Sequence, residues 1–245
     1  MKENLLQARI KDALSIAEKR PYFMGFLSEG ELVEIEDILQ HAKISCYYFW
    51  GGYEHAKRRV LAVFPDYINP HTLDFPIQPV TFTFSKNYPL THRDFLGSFM
   101  ALGIERAALG DILIETGRCV AFIKAELWSY FYSNIHKIGK VSVAIQEGYT
   151  GSLPIDDHFI EVSGVVSSAR LDCIVAFLSK LSREKAANLV KAGMVSLNHR
   201  EICIGTKLIN EADIISIRKT GRFVIDQLGP NTAKGRIKIR CRQYK

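Results

Sequence analysis

The densest set of side chains that could act on a ligand lies in residues 168–223. It comprises Arg170, Arg183, Lys185, Lys191, Arg200, Arg218, Lys219 and Arg222, with Ser182 and Asn198 as hydrogen-bonding neighbours. Cations drawn from consecutive elements can be gathered on one surface of a small module. Such a surface engages phosphates, and arginine can do so with two parallel N–H donors. The chemistry indicated is recognition of a polyanion rather than bond cleavage; a solvated helix face is the plain alternative for any one residue. A second group follows, in which Lys234, Arg236, Lys238, Arg240 and Arg242 alternate with Gly235, Ile237, Ile239 and Cys241. A period of two puts the charges on one face of a strand and the apolar residues on the other. We read it as a sheet strand presenting cations to RNA, the alternative being an edge strand guarded by charge.

Catalysis has one candidate location. His92, Arg93, Asp94 and Asp111 form the densest polar group of the middle segment, and a hydrolytic or RNA-modifying site could use them. Thr91 and Asp94 also suit a helix cap, and Asp111 a turn brace, which is the reading preferred here. No Ser-His-Asp arrangement, zinc-ligand spacing or glycine-rich nucleotide loop is evident. Gly51-Gly52-Tyr53 is too short for a phosphate loop and reads as a turn. The chain is therefore expected to be non-catalytic, with no metal site and no cofactor.

The elements that must position these residues follow from periodicity. Ser168 is a plausible N-cap, followed by Leu171, Ile174, Val175 and Leu178 at helical spacing. Ser182 can cap a second helix with Ala186, Ala187, Leu189 and Val190 as its buried stripe and Gly193 as its stop. Residues 195–198 and 213–218 alternate as strands. Upstream, residues 3–20 read as a helix, and Ser28 with Glu31 is a capping-box signature for another. Residues 44–50 and 58–64 are strand-like, with Arg58 and Arg59 on opposite faces, and proline-rich residues 65–79 read as a linker. Residues 80–85, 91–102, 111–115, 118–124, 125–137 and 141–146 then give the order β-α-β-β-α-β, that of a ferredoxin-like split unit. Phe82 and Phe84 share a strand face; a base-stacking platform is conceivable there, but a core role is preferred. Residues 148–167 mix loop signals with a strand-like piece at 159–162.

The totals agree with a nucleic-acid partner. Residues 163–245 hold 16 Lys and Arg against 6 Asp and Glu, a net of +10, whereas residues 1–162 hold 16 against 20, a net of −4. A basic end on an acidic body points to nucleic acid more than to a membrane surface, since no long basic amphipathic helix is present. No apolar run approaches the ~20 residues of a membrane span, no signal-peptide core opens the chain, and the five cysteines are scattered. A cytoplasmic protein without membrane insertion is expected.

Two resemblances sharpen this reading. Arg170-Leu171-Asp172, Ser182-Arg183, Leu189 to Gly193, Val195 to Asn198, Asp213 to Arg218 and Gly221-Arg222-Phe223 resemble, in order, an S4 RNA-binding domain. Residues 90–97, 102–106 and 109–112, with Trp50-Gly51-Gly52-Tyr53 and Phe64-Pro65-Asp66, resemble the bacterial YlmH family, so similarity extends over nearly the whole chain. Arg170-Leu171-Asp172 also resembles the catalytic-aspartate motif of pseudouridine synthases. Here it lies within a helix of the basic stretch with too little chain after it for a catalytic domain, so Asp172 is expected to be structural and paired with a neighbouring cation.

The resemblance implies an α+β, multi-domain chain: an N-terminal α/β domain (1–75), a ferredoxin-like middle domain (76–160) and a C-terminal S4 domain (161–245). It implies a factor in ribosome-associated quality control that binds rRNA of the large ribosomal subunit and tRNA, where an obstructed peptidyl-tRNA remains. The RNA contacts expected are Arg170, Ser182, Arg183, Lys185, Lys191, Asn198, Arg200, Arg218, Arg222, Lys234, Arg236, Lys238 and Arg240. Quality-control or division proteins are possible partners. The alternatives are an enzyme sited near His92, Asp94 and Asp111, or a cell-division adaptor using the acidic N-terminal face.

Overall fold

Two reciprocal caps set helix starts in the first half of the computed structural model, which describes residues 2–155, 159–231 and 235–244. After α1 (Lys2–Ala17) and β1 (Tyr22–Phe23), Ser28 N–H donates to Glu31 Oε2 at 2.7 Å and Glu31 N–H donates back to Ser28 Oγ at 3.4 Å. These bonds satisfy orphan donors at the start of α2 (Glu29–His41). β2 (Tyr47–Trp50) and β3 (Val60–Val63) complete a three-stranded sheet of order β1-β3-β2. Leu6, Ile10 and Ala13 of α1 and Ile35 and Leu39 of α2 bury their apolar stripes against Leu61 and Val63.

The second capped helix belongs to a four-stranded sheet. β4 (Ile77–Thr83) leads to α3 (His92–Ala101), where the Thr91 N–H and hydroxyl donate to Asp94 Oδ2 at 2.8 and 2.7 Å. β5 (Leu109–Glu115), β6 (Arg118–Lys124), α4 (Trp128–Asn134), a hairpin of β7 (Lys137–Ile138) and β8 (Val141–Ser142), and β9 (Ala144–Glu147) follow. The order β5-β6-β4-β9, with every neighbour antiparallel, is that of two interleaved split β-α-β units. Phe82 is fully buried between the sheet and the helices, with ring centroids 5.5 Å from Phe95, 5.6 Å from Phe99 and 6.5 Å from Phe131. It is a core residue and presents no face for stacking.

Two readings of this half are corrected. The proline-rich run is no linker to its end: Phe75 and Ile77 pack on a buried cluster, and Pro79 lies within β4, where its carbonyl accepts from Gly148 N–H at 2.8 Å. Residues 125–137 are not one helix. A 3₁₀ turn, Ala125–Leu127, precedes α4, and Ile138 is buried as part of the β7–β8 hairpin.

The chain forms two compact units, Met1–Asp156 and Asp157–Lys245. Within the first, Phe26, Tyr53, Ala56 and Val60 share a core with Val120 and Phe122, joining the two sheets. Gly52 allows this contact: its φ of +96° favours glycine, and a Cβ would sit 2.4 Å from the Phe122 ring.

The second unit is a six-stranded antiparallel sheet with a helix pair. β10 (Phe159–Val166), α5 (Leu171–Ser179), α6 (Arg183–Lys191), β11 (Val195–Leu197), β12 (Arg200–Glu201), β13 (Ile214–Ile217), β14 (Gly221–Asn231) and β15 (Ile237–Tyr244) follow in sequence. The spatial order is β10-β15-β14-β13-β11-β12. Ile174, Val175, Leu178, Ala186 and Val190 of the helices bury against Ile215, Ile217, Phe223, Ile225, Ile239 and Cys241. Gly193, at φ +66°, turns the chain out of α6.

Ser168 does not cap α5. The helix begins at Leu171, and its first N–H groups donate to carbonyls of a neighbouring loop: Leu171 to Lys207 at 2.8 Å and Asp172 to Gly205 at 2.9 Å. With those donors satisfied by backbone, no side-chain cap is needed. Ser168 Oγ instead contacts Cys173 Sγ at 3.3 Å. Nor is the alternating basic strand an edge: β15 pairs with β10 on one side and β14 on the other.

Candidate nucleic-acid interface

Asp172 organises the helix side of the second unit. Its carboxylate accepts from Arg170 Nε at 3.1 Å and from an Arg170 terminal nitrogen at 2.7 Å, while an Arg183 terminal nitrogen lies 3.6 Å away. Arg170 immediately precedes α5 and Arg183 is the first residue of α6, so one buried carboxylate draws two arginines from separate elements together. Burial pushes the Asp172 carboxyl up, but hydrogen bonds from Arg170 and Cys173 and the charges of Arg170 and Arg183 outweigh it and leave it below the ordinary value. Ser182 caps α6 by accepting from Lys185 N–H at 3.4 Å. The exposed Lys185 side chain lies on the same first turn as Arg183. This helix edge can clamp a phosphate between a fixed guanidinium and more mobile cations.

Asp172→Ala is expected to destabilise the unit by about 2 kcal/mol, the scale of lost hydrogen bonds to a charged group. Because the folded carboxyl is below its unfolded value of about 3.9, the contribution is complete above that pH. It fades as pH falls through the lowered folded value. Urea unfolding followed by circular dichroism should show wild type and variant converging on the acid side; a gap that persists there excludes the ion pair as its source.

The remaining basic residues are dispersed. Lys191 is eight residues beyond Arg183 on α6, about 12 Å along the axis, and Arg200 lies on the edge strand β12. Asn198, at φ +48°, binds within the fold: its Nδ2 donates to Asp213 Oδ1 and its Oδ1 accepts from Ile214 N–H, both at 2.8 Å. Arg218 and Arg222 flank the β13–β14 turn, where an Arg218 terminal nitrogen lies 3.7 Å from Met194 Sδ and the Arg222 guanidinium 5.8 Å from the Tyr244 ring centroid. Arg236 is exposed just before β15, and Lys238, Arg240 and Arg242 project from the face opposite buried Ile239 and Cys241. Lys234 lies outside the described residues.

This strand face is less uniformly basic than alternation implies. Arg242 pairs with Asp226 at 2.8 Å, its guanidinium lies 4.8 Å from the Phe159 ring centroid, and Glu161 is its cross-strand neighbour. Tyr244, Phe159, Ser196, Ser216 and His199 also belong to these surfaces and were not legible as site residues. Their only signal was strand alternation, which cannot say which strands become neighbours.

The two carboxylates of the middle segment's polar group are occupied structurally. Asp94 is spent on its cap, and Asp111 accepts from the Tyr53 hydroxyl at 2.8 Å, Lys57 N–H at 2.7 Å and Arg58 N–H at 3.2 Å. Burial and the Asp111 charge push the Tyr53 hydroxyl well above its ordinary value. Arg58 donates to the carbonyls of Phe26, Arg106 and Leu109, and burial with the Arg106 charge pushes it down to about 10, still a cation at neutral pH. Asp111 and Arg58 thus brace the loop between β2 and β3. Among the described residues no group of three His, Cys, Asp or Glu side chains could hold a metal ion, and no helix is long and apolar enough to cross a membrane.

Residues 70–150, which contain the split β-α-β sheet, match the family model described as "Putative RNA-binding domain in YlmH". The chain is 28% identical over 222 residues to the "Ribosome-associated protein quality control protein P2" of Bacillus subtilis (strain 168), covering 90% of this chain and 86% of that protein. The likeness to the YlmH family is thus carried by residues 70–150 and by similarity to that relative along most of the chain. A solved structure, "Cell division protein ylmH from Streptococcus pneumoniae", aligns with 60% of this chain and 87% of its own at 23% identity and a TM-score of 0.49. The family match supports an RNA-binding role for the chain.

Proposed function

We propose that this YlmH-like chain is a non-catalytic RNA-binding factor of ribosome-associated quality control. It binds structured rRNA of the large ribosomal subunit and tRNA, holding a complex in which peptidyl-tRNA is obstructed. The observation that carries the reading is the helix edge in which Asp172 fixes Arg170 beside Arg183, with Lys185 on the same turn as Arg183. An S4-like helix pair with phosphate-directed cations at its start suits the backbone of folded RNA, where shape and phosphates dominate recognition. The relative's role in ribosome-associated quality control supports the choice of ribosomal RNA over other polyanions. The 70–150 segment would supply a second contact, and a cytoplasmic location follows from the substrate.

The structural use of Asp94 and Asp111 favours this reading over an enzyme sited there. The test is gradient co-sedimentation with ribosomal particles at several salt concentrations, comparing wild type with Arg183→Ala/Lys185→Ala. Arg170 is left intact because it partners buried Asp172. Wild type should travel with the large subunit, and the double variant should be released at lower salt, with the slope of log affinity against log salt reduced by about 2. Wild type remaining at the top of the gradient overturns the ribosomal reading. Co-purification of division proteins that survives ribonuclease would instead favour the adaptor.

A further inference from the structure

We propose that the face of the six-stranded sheet turned away from α5 and α6 is a second RNA-backbone site, so that the C-terminal unit holds two RNA segments at once. The inference rests on the reading that the helix edge binds RNA.

The separation of the two surfaces follows from strand alternation. Ile215, Ile217, Phe223, Ile225 and Ile239 point toward the helices and form the core. Residues between them must therefore point away. The cross-strand pairs Ser196–Ser216 and Ser216–Arg222 place a polar row across β11, β13 and β14 on that outer face. The layer of buried apolar side chains lies between this row and the helices, so Arg183 and Arg222 serve opposite sides of the unit. An RNA segment seated on α6 would have to wrap around the unit to reach β14.

The outer face is concave where the cations are. A cavity of about 680 Å³ is lined by Ser196, Ser216, Arg218, Lys219, Thr220 and Arg222, with His199 and Glu201 also at its wall. Three cations and three hydroxyls against one carboxylate give a surface that accepts anionic oxygens. The hydroxyls donate without adding charge, and the two arginines offer paired N–H groups. The flanking turn is held open by Lys219 at φ +68° and Gly221 at φ +135°. The face continues along β15 past Arg242, which is paired with Asp226 and opposite Glu161, to the exposed Arg240 and Lys238, so further cations lie beyond the cavity. A compact anion would engage only part of such a surface; a phosphodiester strand engages its length. The chemistry is backbone binding without base readout, so sequence should matter little and salt greatly.

The experiment uses the full-length protein and a short structured RNA hairpin in two batches, one carrying a donor fluorophore and the other an acceptor. Wild type should bring the two labels together and give energy transfer. Arg218→Ala/Arg222→Ala should abolish transfer yet still bind one hairpin, and Arg183→Ala/Lys185→Ala should do the same from the other side. Ser216→Glu, which leaves every cation in place and adds a negative charge to the cavity, should reproduce the first variant and guards against misfolding of the arginine variant. Wild-type transfer in both sheet-face variants overturns the second site while leaving the helix-edge reading intact. Loss of all binding in the sheet-face variants, with the helix-edge variant unaffected, overturns the two-surface proposal and the helix-edge reading together.

Discussion

Phe82→Ala should lower the stability of the first unit by about 4 kcal/mol, the scale for truncating a fully buried aromatic ring. Phe82 is completely buried, and it is the ring that Phe95, Phe99 and Phe131 share, so its removal leaves a cavity bounded by two helices and the central strand. Those neighbours are held by the caps of α3 and the pairing of β4 with β6 and cannot collapse freely into the space. Trp50 and Trp128 are the two tryptophans of the chain and both lie in the first unit, so tryptophan fluorescence in a urea titration follows that unit. A midpoint shifted far below wild type, with RNA affinity normal where the variant remains folded, is the expected result. An unshifted midpoint combined with weakened RNA binding would make Phe82 a stacking surface after all.

Asp111→Ala carries the second large effect, about 3 kcal/mol. Three donors converge on this one carboxylate: the Tyr53 hydroxyl and the N–H groups of Lys57 and Arg58. Alanine leaves all three without their acceptor in a half-buried setting, and hydrogen bonds to a charged acceptor contribute about 1.5–3 kcal/mol each without adding fully. Asp111→Asn retains one carbonyl oxygen and should lose roughly half as much. Tyr53 also stacks on Phe122 at 5.0 Å, so the loss should loosen the contact that joins the two sheets. The same urea titration measures both variants. Equal midpoints for wild type and Asp111→Ala would remove the bracing role and return Asp111 to the list of groups available for chemistry.

Local rules were read correctly wherever a short stretch contains both partners. Ser28 with Glu31 and Thr91 with Asp94 are three residues apart, so sequence alone supplies donor and acceptor of each cap. Ser168 failed for the complementary reason. The N–H groups it would have capped are taken by Gly205 and Lys207, more than thirty residues away, and no local pattern announces that loop.

The β15 alternation was similarly half legible: burial of Ile239 and Cys241 follows from the period, but the choice between edge and interior depends on β10 and β14 arriving on either side. The partners of Asp111 are more than fifty residues away, which is why a brace could be preferred from the sequence but its donors could not be named.

By itself, then, the sequence determined most of the element types, the apolar stripes, the basic C-terminal end and the family to which the motifs point. Periodicity, caps and net charge are properties of contiguous or summed residues, and they survive without knowledge of the fold. A cation beside Asp172 was expected from the sequence, but tertiary structure decided which other charges meet. It added Arg183 to the Asp172 carboxylate, set Asn198 to work within the fold, tied Arg242 to Asp226, and divided the cations between a helix edge and a sheet face. The physical reason is that a strand's alternation fixes two faces but not their neighbours, while side-chain pairing acts over a few ångströms between segments that only packing brings together.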